Sequence, residues 1–567
     1  MRFLFFLSLL MMCPLLRAQP PAGLYRQTSE VHHLLTQYNA DRGSLTRFYT
    51  NSPERRERLR QLHTEYLRQL EALDFDRMPT DSRVDYLLFR RDLGDALRKL
   101  DDEAREVAQL QSWFSFAEPI YALEKQRRRG ATLNAQQVAA DLNRLSEQIK
   151  SARRTVLETK TFDPALVRRA AGTVRGLRAA LTSVFDFYNE YDPQFSWWVP
   201  APYRQTDSLL TAYGQFFERK ARGTTDSSGI VGIAIGRDEL IRQLQHELIP
   251  YSPEELVDIA NREFAWCDRE LLRASRDMGF GDNWKAAQEK VKNSYVPPGQ
   301  QPEAILKLYN ESIAFLKNKD LITIPPIAEE TWRMNMMSPE RQRVSPFFLG
   351  GEELLISYPT LTMDHPDKLM SMRGNNPHFS RATVHHELIA GHHLQMFMNN
   401  RYKTYRNFDT PFWIEGWALY WEMILWDMNF PQSPEDRIGM LFWRMHRCAR
   451  IIFSLNYHLG RWTPQQCIDF LVDRVGHERA NAEGEVRRSF TGDYPPLYQL
   501  AYMTGGMQFL ALKRELVDSG KMTYKQFHDA VIQQNALPVE MLRAVLTNQT
   551  LPKNFKTSWR FYDLKSK

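Results

Sequence analysis

A large, mainly α-helical fold is what this 567-residue chain predicts, and three observations carry that expectation. Apolar residues recur at helical spacing from about residue 25 to 320, with charged residues on the opposite faces. Helix-start signals recur along the chain, at Ser52-Pro53-Glu54, Ser252-Pro253-Glu254-Glu255, Ser433-Pro434-Glu435 and Thr463-Pro464-Gln465-Gln466. Segments of β texture are sparse and begin only after Ile322-Thr323-Ile324-Pro325-Pro326. A chain of this length can bury ample core as one two-lobed unit or as two domains. We expect an N-terminal helical lobe over 19–320 and a second lobe, carrying the chemistry and a small β-sheet, over 321–567.

Met1 to Ala18 has the form of a secretory signal: Arg2, an apolar run from Phe3 to Met12, then Leu16-Arg17-Ala18. It is too short and wrongly flanked for a stable membrane span. The expectation is an exported protein, periplasmic or secreted, with no integral membrane span once the signal is removed; lipid attachment at Cys13 is the alternative. Removal would leave Cys267, Cys448 and Cys467, an odd and sparse set that argues against a disulfide framework. The formal charge of +6 falls to +4 without Arg2 and Arg17. That balance, and the lack of an extended basic patch interleaved with aromatics, argues against a nucleic-acid partner. The arginine runs at 55–56, 127–129 and 153–154 read as solvated surface.

Tyr191-Asp192-Pro193 to Pro200-Ala201-Pro202-Tyr203 interrupts the helical pattern with prolines and aromatics, and reads as a packed loop or part of a cleft wall. Gly229 to Gly236 is rich in glycine but lacks the spacing and context of a phosphate loop. Glu353-Leu354-Leu355-Ile356-Ser357-Tyr358 reads as a strand. Leu354 to Tyr358 is either an edge that can hydrogen-bond an extended peptide or an ordinary strand of a small sheet.

The densest chemistry lies at Val384-His385-His386-Glu387-Leu388-Ile389-Ala390-Gly391-His392-His393-Leu394-Gln395-Met396, where four histidines surround one glutamate. A zinc-peptidase helix of the H-E-x-x-H type places two histidines one turn apart with the general base between them. Here Ala390 stands where the second histidine would be, and the next partner of His386 is His392. Six residues of unbroken helix turn by about 240° and rise by about 9 Å, so these two imidazoles cannot share a metal unless the helix is interrupted. Ala390-Gly391 is the place for a bulge. His385 and His393 remain alternative ligands, because the form of the interruption decides which imidazoles converge.

A third ligand comes from Asp409-Thr410-Pro411-Phe412-Trp413-Ile414-Glu415-Gly416-Trp417-Ala418-Leu419-Tyr420-Trp421-Glu422. Glu415 and Glu422 stand two turns apart on one face of an otherwise apolar helix, where buried carboxylates need partners. Glu415 follows His386 by 29 residues, a spacing suited to a glutamate ligand on a second helix. Glu422 then suits the role of acceptor for the free N–H of a ligand histidine. A structural salt-bridge network is the competing account of both.

These motifs, with Arg447-Cys448-Ala449-Arg450, His458, Trp462-Thr463, Glu485-Val486-x-Arg488 and Tyr502-x-x-Gly505, resemble the bacterial family called domain of unknown function 885. The resemblance extends more weakly to Gly236-Arg237-Asp238 and Pro253-Glu254-Glu255-Leu256. It implies a predominantly helical, zincin-like fold, distantly similar to Taq-type carboxypeptidases, thimet-type oligopeptidases and angiotensin-converting enzyme, and hence a metallopeptidase. Three departures stand out: Ala390 where the family usually has proline, Ser454-Leu455-Asn456 where it usually has Asp-Thr-Gly, and Tyr498-Gln499-Leu500-Ala501, which matches only loosely. They point to altered specificity or weakened activity.

The expected mechanism has His386, His392 and Glu415 binding Zn²⁺, Glu387 acting as general base, and Tyr502 donating to the oxyanion, a role implied by the resemblance. His458 can orient a ligand or touch substrate, or be an ordinary core histidine. Arg487 and Arg488 can recognise a substrate carboxylate or sit on the surface. The expected partner is a peptide substrate. The competing classes are an exported metal- or peptide-binding protein without turnover and a hydrolase of a non-peptide amide. Retention of Glu387 argues against the first, since a structural zinc site needs no base beside its ligands.

Overall fold

Local sequence explains why the chain is helical where it is. Ser52, Thr410, Ser433 and Thr463 each place a side-chain oxygen on a backbone N–H of the first turn, with proline at the first helical position. Ser252 and Glu255 form a reciprocal capping box at the start of the Pro253–Asp277 helix. The computed structural model describes residues 29–221, 226–342, 345 and 347–564. It is mainly helical, with one two-stranded sheet among the described residues. The signal segment and Cys13 lie outside them.

The stretch from 191 to 203 differs from the loop that its prolines suggest. Asp192 caps a short helix, Pro193–Trp198, and Pro200 opens the long helix Pro200–Ala221. Each proline occupies a first turn, where its missing N–H costs nothing. Phe195 and Val199 are buried whereas Trp197 is 80% exposed.

Three hydrophobic clusters form the interior. One lies wholly within residues 110–217 and includes Phe116, Leu142, Val174 and Phe217. The second joins Leu70 and Phe89 to Trp417, Trp421, Phe509 and Leu542. The third joins Leu256 and Phe264 to Phe442, Ile451, Leu500 and Met503. The last two therefore draw on both sides of residue 320. A fully buried ion pair, Arg406 to Asp85 at 2.7 Å, adds a tie between the early helix Thr80–Gln109 and the segment that leads into the Glu415 helix.

The Pro411–Asp427 helix runs between these two clusters and has almost no solvent face. Trp413, Trp417 and Trp421 enter one cluster, Phe412, Leu419 and Met423 the other. Its packing against the Tyr498–Lys513 helix depends on small residues: a methyl on Gly416 would sit 2.6 Å from the Gly505 backbone. Helices this close hold the groups between them to a fixed geometry.

The His386–His392 stretch is two helices, not one helix with a bulge. Asn376 caps the first, Pro377–Glu387, by accepting from the backbone N–H groups of His378 and Phe379. The chain leaves helical angles at Leu388, passes a cis Ile389–Ala390 peptide and resumes as His392–Asn399. Gly391 N–H donates to His385 O at 2.9 Å, and a Cβ at Gly391 would lie 1.8 Å from His386 O. No side chain fits there. Gly391→Ala is expected to cost about 3 kcal/mol of stability or more, read by urea denaturation.

The small sheet also departs from expectation. Met334–Met336 and Leu354–Ile356 pair in parallel, Met334 opposite Leu354. On its other side Leu355 exchanges both backbone hydrogen bonds with Leu349, at 2.7 and 2.9 Å. The strand at 354 is thus occupied on both edges and offers none to a peptide. Tyr358 lies beyond the strand, half-buried against the second cluster, and does not line the cavity at the candidate metal ligands.

Candidate metal centre

Interrupting the helix after Glu387 lets His386 and His392 face each other. Their rings lie 4.9 Å apart and nearly perpendicular. Glu415 approaches from the Pro411–Asp427 helix, its Oε2 3.5 Å from His386 Nε2 and 3.2 Å from His392 Nε2. Ligand atoms of these three residues lie within 4.8 Å of one another, the one such group among the described residues.

The outer hydrogen bonds fix which ring nitrogens point inward. His386 Nδ1 lies 2.7 Å from Glu422 Oε1, and His392 Nδ1 lies 3.0 Å from Gln395 Oε1. Gln395 is oriented by its own amide, which donates to Ile414 O at 3.1 Å. Both acceptors take the proton of Nδ1, so each Nε2 faces a Glu415 oxygen and needs either a proton or a cation between them. Burial opposes charge on His386, yet hydrogen bonds to Glu415 and Glu422 push its pKa up to about 9. Burial likewise opposes charge on His392, but Glu415 raises it, while burial's upward pull on Glu415 is overcome by His392 and His386, which hold it well below the usual range. The donor set, two imidazoles and a carboxylate with outer partners, suits Zn²⁺. Glu422→Gln or Gln395→Leu is expected to weaken zinc affinity about 10- to 100-fold without removing a ligand, measured by competition with a chromophoric chelator.

Glu387 lies beside the ligands and receives the Gly350 backbone N–H at 2.5 Å on Oε2. Tyr498 donates its hydroxyl to Glu415 Oε1, the oxygen turned away from the imidazoles. Tyr502, one turn further along the same helix face, stacks on His386 with centroids 6.1 Å apart at 13°. Burial, then the Glu415 charge, raises the Tyr502 pKa, so its phenol stays a hydrogen-bond donor. These groups line a cavity of 240 Å³ whose opposite wall is the Phe347–Gly350 segment.

Of the residues singled out by motif, the fold brings His386, Glu387, His392, Glu415, Tyr502 and Arg488 to this cavity, with Glu422 behind it. Others lie elsewhere. His385 turns away toward Phe430, fully buried, and burial lowers its pKa to about 3. His393 is spanned by Gly351 O and Ala328 O, each 3.1 Å from a ring nitrogen. Neither is among the converging ligands, because each stands one residue, about 100° of helical turn, from the histidine that converges. His458 packs against Tyr457 and Phe490, where burial lowers its pKa to about 4. Arg487 is exposed. Tyr498 and Gln395 carried no role in the sequence reading. Their helical spacing was the available signal: Tyr498 precedes Tyr502 by one turn and Gln395 follows His392 by three residues.

Two solved structures have a similar fold. One, described as a putative lipoprotein of unknown function from Shewanella oneidensis, has a TM-score of 0.66 at 14% identity over 92% of this chain and 100% of that chain. The other, described as a putative lipoprotein from Colwellia psychrerythraea, has a TM-score of 0.57 at 16% identity over 91% and 98%. Identities this low show the fold alone. No curated protein matches the chain. The family model for a bacterial protein of unknown function (DUF885) matches residues 37–546, which takes in every residue of the site from His386 to Tyr502, and the chain belongs to that family.

Proposed function

We propose that this protein is a zinc-dependent hydrolase of peptides with a zincin-like helical architecture. The observation that carries the proposal is the convergence of His386 Nε2, His392 Nε2 and Glu415 Oε2, with His386 and Glu415 buried and His392 partly so, and the Glu387 carboxylate lining the same cavity. His386, His392 and Glu415 would hold the ion, with Glu422, Gln395 and Tyr498 fixing their orientation. Zinc held there supplies a Lewis acid for the scissile carbonyl and acidifies a water. Glu387 takes the proton of the attacking water, one of its oxygens being anchored by Gly350 N–H, and returns it to the leaving amine. Tyr502 donates to the carbonyl oxygen as negative charge develops on it. A non-peptide amide would pass through the same steps.

Export is part of the proposal. The Met1–Ala18 pattern supports it, as does the description of both similar structures as lipoproteins. No helix among the described residues is long and apolar enough to cross a membrane. Cys267, Cys448 and Cys467 are buried free thiols.

The test is to purify the chain without its first 18 residues, measure its metal by elemental analysis, and incubate it with a mixed peptide library. Near-stoichiometric zinc with new peptide termini supports the proposal. Absence of metal even after zinc is supplied would sink it.

A further inference from the structure

Three guanidiniums gather on the wall of the cavity beside Tyr502, which Glu387 and Glu415 also line. Arg447 and Arg450 stand one turn apart on the Pro434–His458 helix, and Arg488 comes from the Arg479–Phe490 helix. Two carboxylates face these three guanidiniums. Glu422 lies 3.3 Å from Arg447 Nη2 but is already shared with His386 Nδ1. Glu485 accepts from Arg450 Nε at 2.7 Å, from Arg488, and from Gln499 Nε2 at 2.8 Å. Burial opposes its charge, but Arg450 and Arg488 hold Glu485 well below the usual carboxylate range.

Arg447, Arg450 and Arg488 all line the cavity, and Arg447 Nε, Arg450 Nη1 and Arg488 Nε, each closed to solvent, have no hydrogen-bond partner. Guanidinium groups on a cavity wall suit a planar anion bearing two oxygens. The metal ligands are near. The Tyr502 ring lies 4.8 and 4.3 Å from the guanidinium carbons of Arg447 and Arg450 and 6.1 Å, centre to centre, from the His386 ring. At about 3.5 Å of extended chain per residue, a gap of one aromatic ring admits one or two residues. The cavity, 240 Å³, falls below the roughly 300 Å³ at which pockets for drug-sized ligands begin, so the end of the substrate that enters it is short.

We propose that Arg447, Arg450 and Arg488 receive the free C-terminal carboxylate of a peptide, so that the protein releases one or two residues from the C-terminus. The cleavage half of this statement rests on the peptidase reading; the binding half does not.

The experiment separates them. Zinc-loaded Glu387→Gln protein is titrated calorimetrically with N-acetyl-trialanine as free acid and as C-terminal amide. The acid is expected to bind at least about tenfold tighter, the worth of one charge-assisted pair. Introducing Arg488→Gln should bring the ratio toward unity. Arg488 is the least buried of the three, at 12% side-chain exposure, and the acid-to-amide comparison in the parent needs no arginine variant to fold. Equal affinity for acid and amide, or binding of neither, overturns the inference, as does a full acid preference retained by Arg488→Gln. Wild-type protein is then given the same two peptides. Cleavage of the acid alone supports the whole proposal, and cleavage blind to amidation overturns it. Acid-selective binding without cleavage of either peptide sinks the peptidase reading and leaves the carboxylate site standing.

Discussion

Glu415→Ala is expected to empty the metal site: zinc measured by elemental analysis falls from near one equivalent to background, and peptide cleavage falls with it. Glu415 is the one carboxylate among the three converging ligands and the only contribution from outside the His386–His392 segment. Its loss leaves two neutral imidazoles. The affinity should drop by more than the 10- to 100-fold that removal of an outer partner typically costs, so by more than about 100-fold. A second consequence follows from Tyr498, whose partly buried hydroxyl would lose its acceptor. A hydrogen bond to a charged group contributes about 1.5–3 kcal/mol at most, so the metal-free variant should also unfold at lower urea than metal-free wild type. Zinc retained at near one equivalent in Glu415→Ala would show that the ion is bound elsewhere.

Glu387→Gln should behave in the opposite way toward the metal and alike toward activity. The amide is isosteric, and its oxygen can still accept the Gly350 N–H. Zinc content is therefore expected to match wild type. An amide cannot take a proton from water at neutral pH, so kcat should fall by about 10²- to 10⁴-fold, the usual contribution of a positioned general base. KM should change little, since Glu387 is assigned no part in holding substrate. A kcat within threefold of wild type would remove Glu387 from the mechanism. The two variants together distinguish loss of the ion from loss of the base.

The helices were legible because their signals are local. Ser52, Ser252, Thr410, Ser433 and Thr463 announce helix starts within four residues, and all five cap helices in the structure. The strand at Leu354–Ile356 was legible as a strand, but not its two neighbours. Leu349 and Met334–Met336 pair with it through backbone groups that leave no mark on side-chain alternation. The prolines at 193 and 200 misled, since the same residue that breaks a helix interior also opens a first turn.

For the site, the sequence by itself determined the chemical inventory. It put the histidines around Glu387, placed Glu415 and Glu422 on one helix face, and showed through the six-residue spacing that an unbroken helix could not serve. Only the tertiary structure decided which imidazoles converge, because that depends on the backbone path from Leu388 to Gly391, where helix geometry no longer fixes direction. It alone joined Tyr498 to Glu415, 83 residues apart, and set the arginines of two helices around Glu485. Residue type and spacing are properties of the chain, whereas the orientation of a lone pair or a guanidinium is set by the elements packed around it.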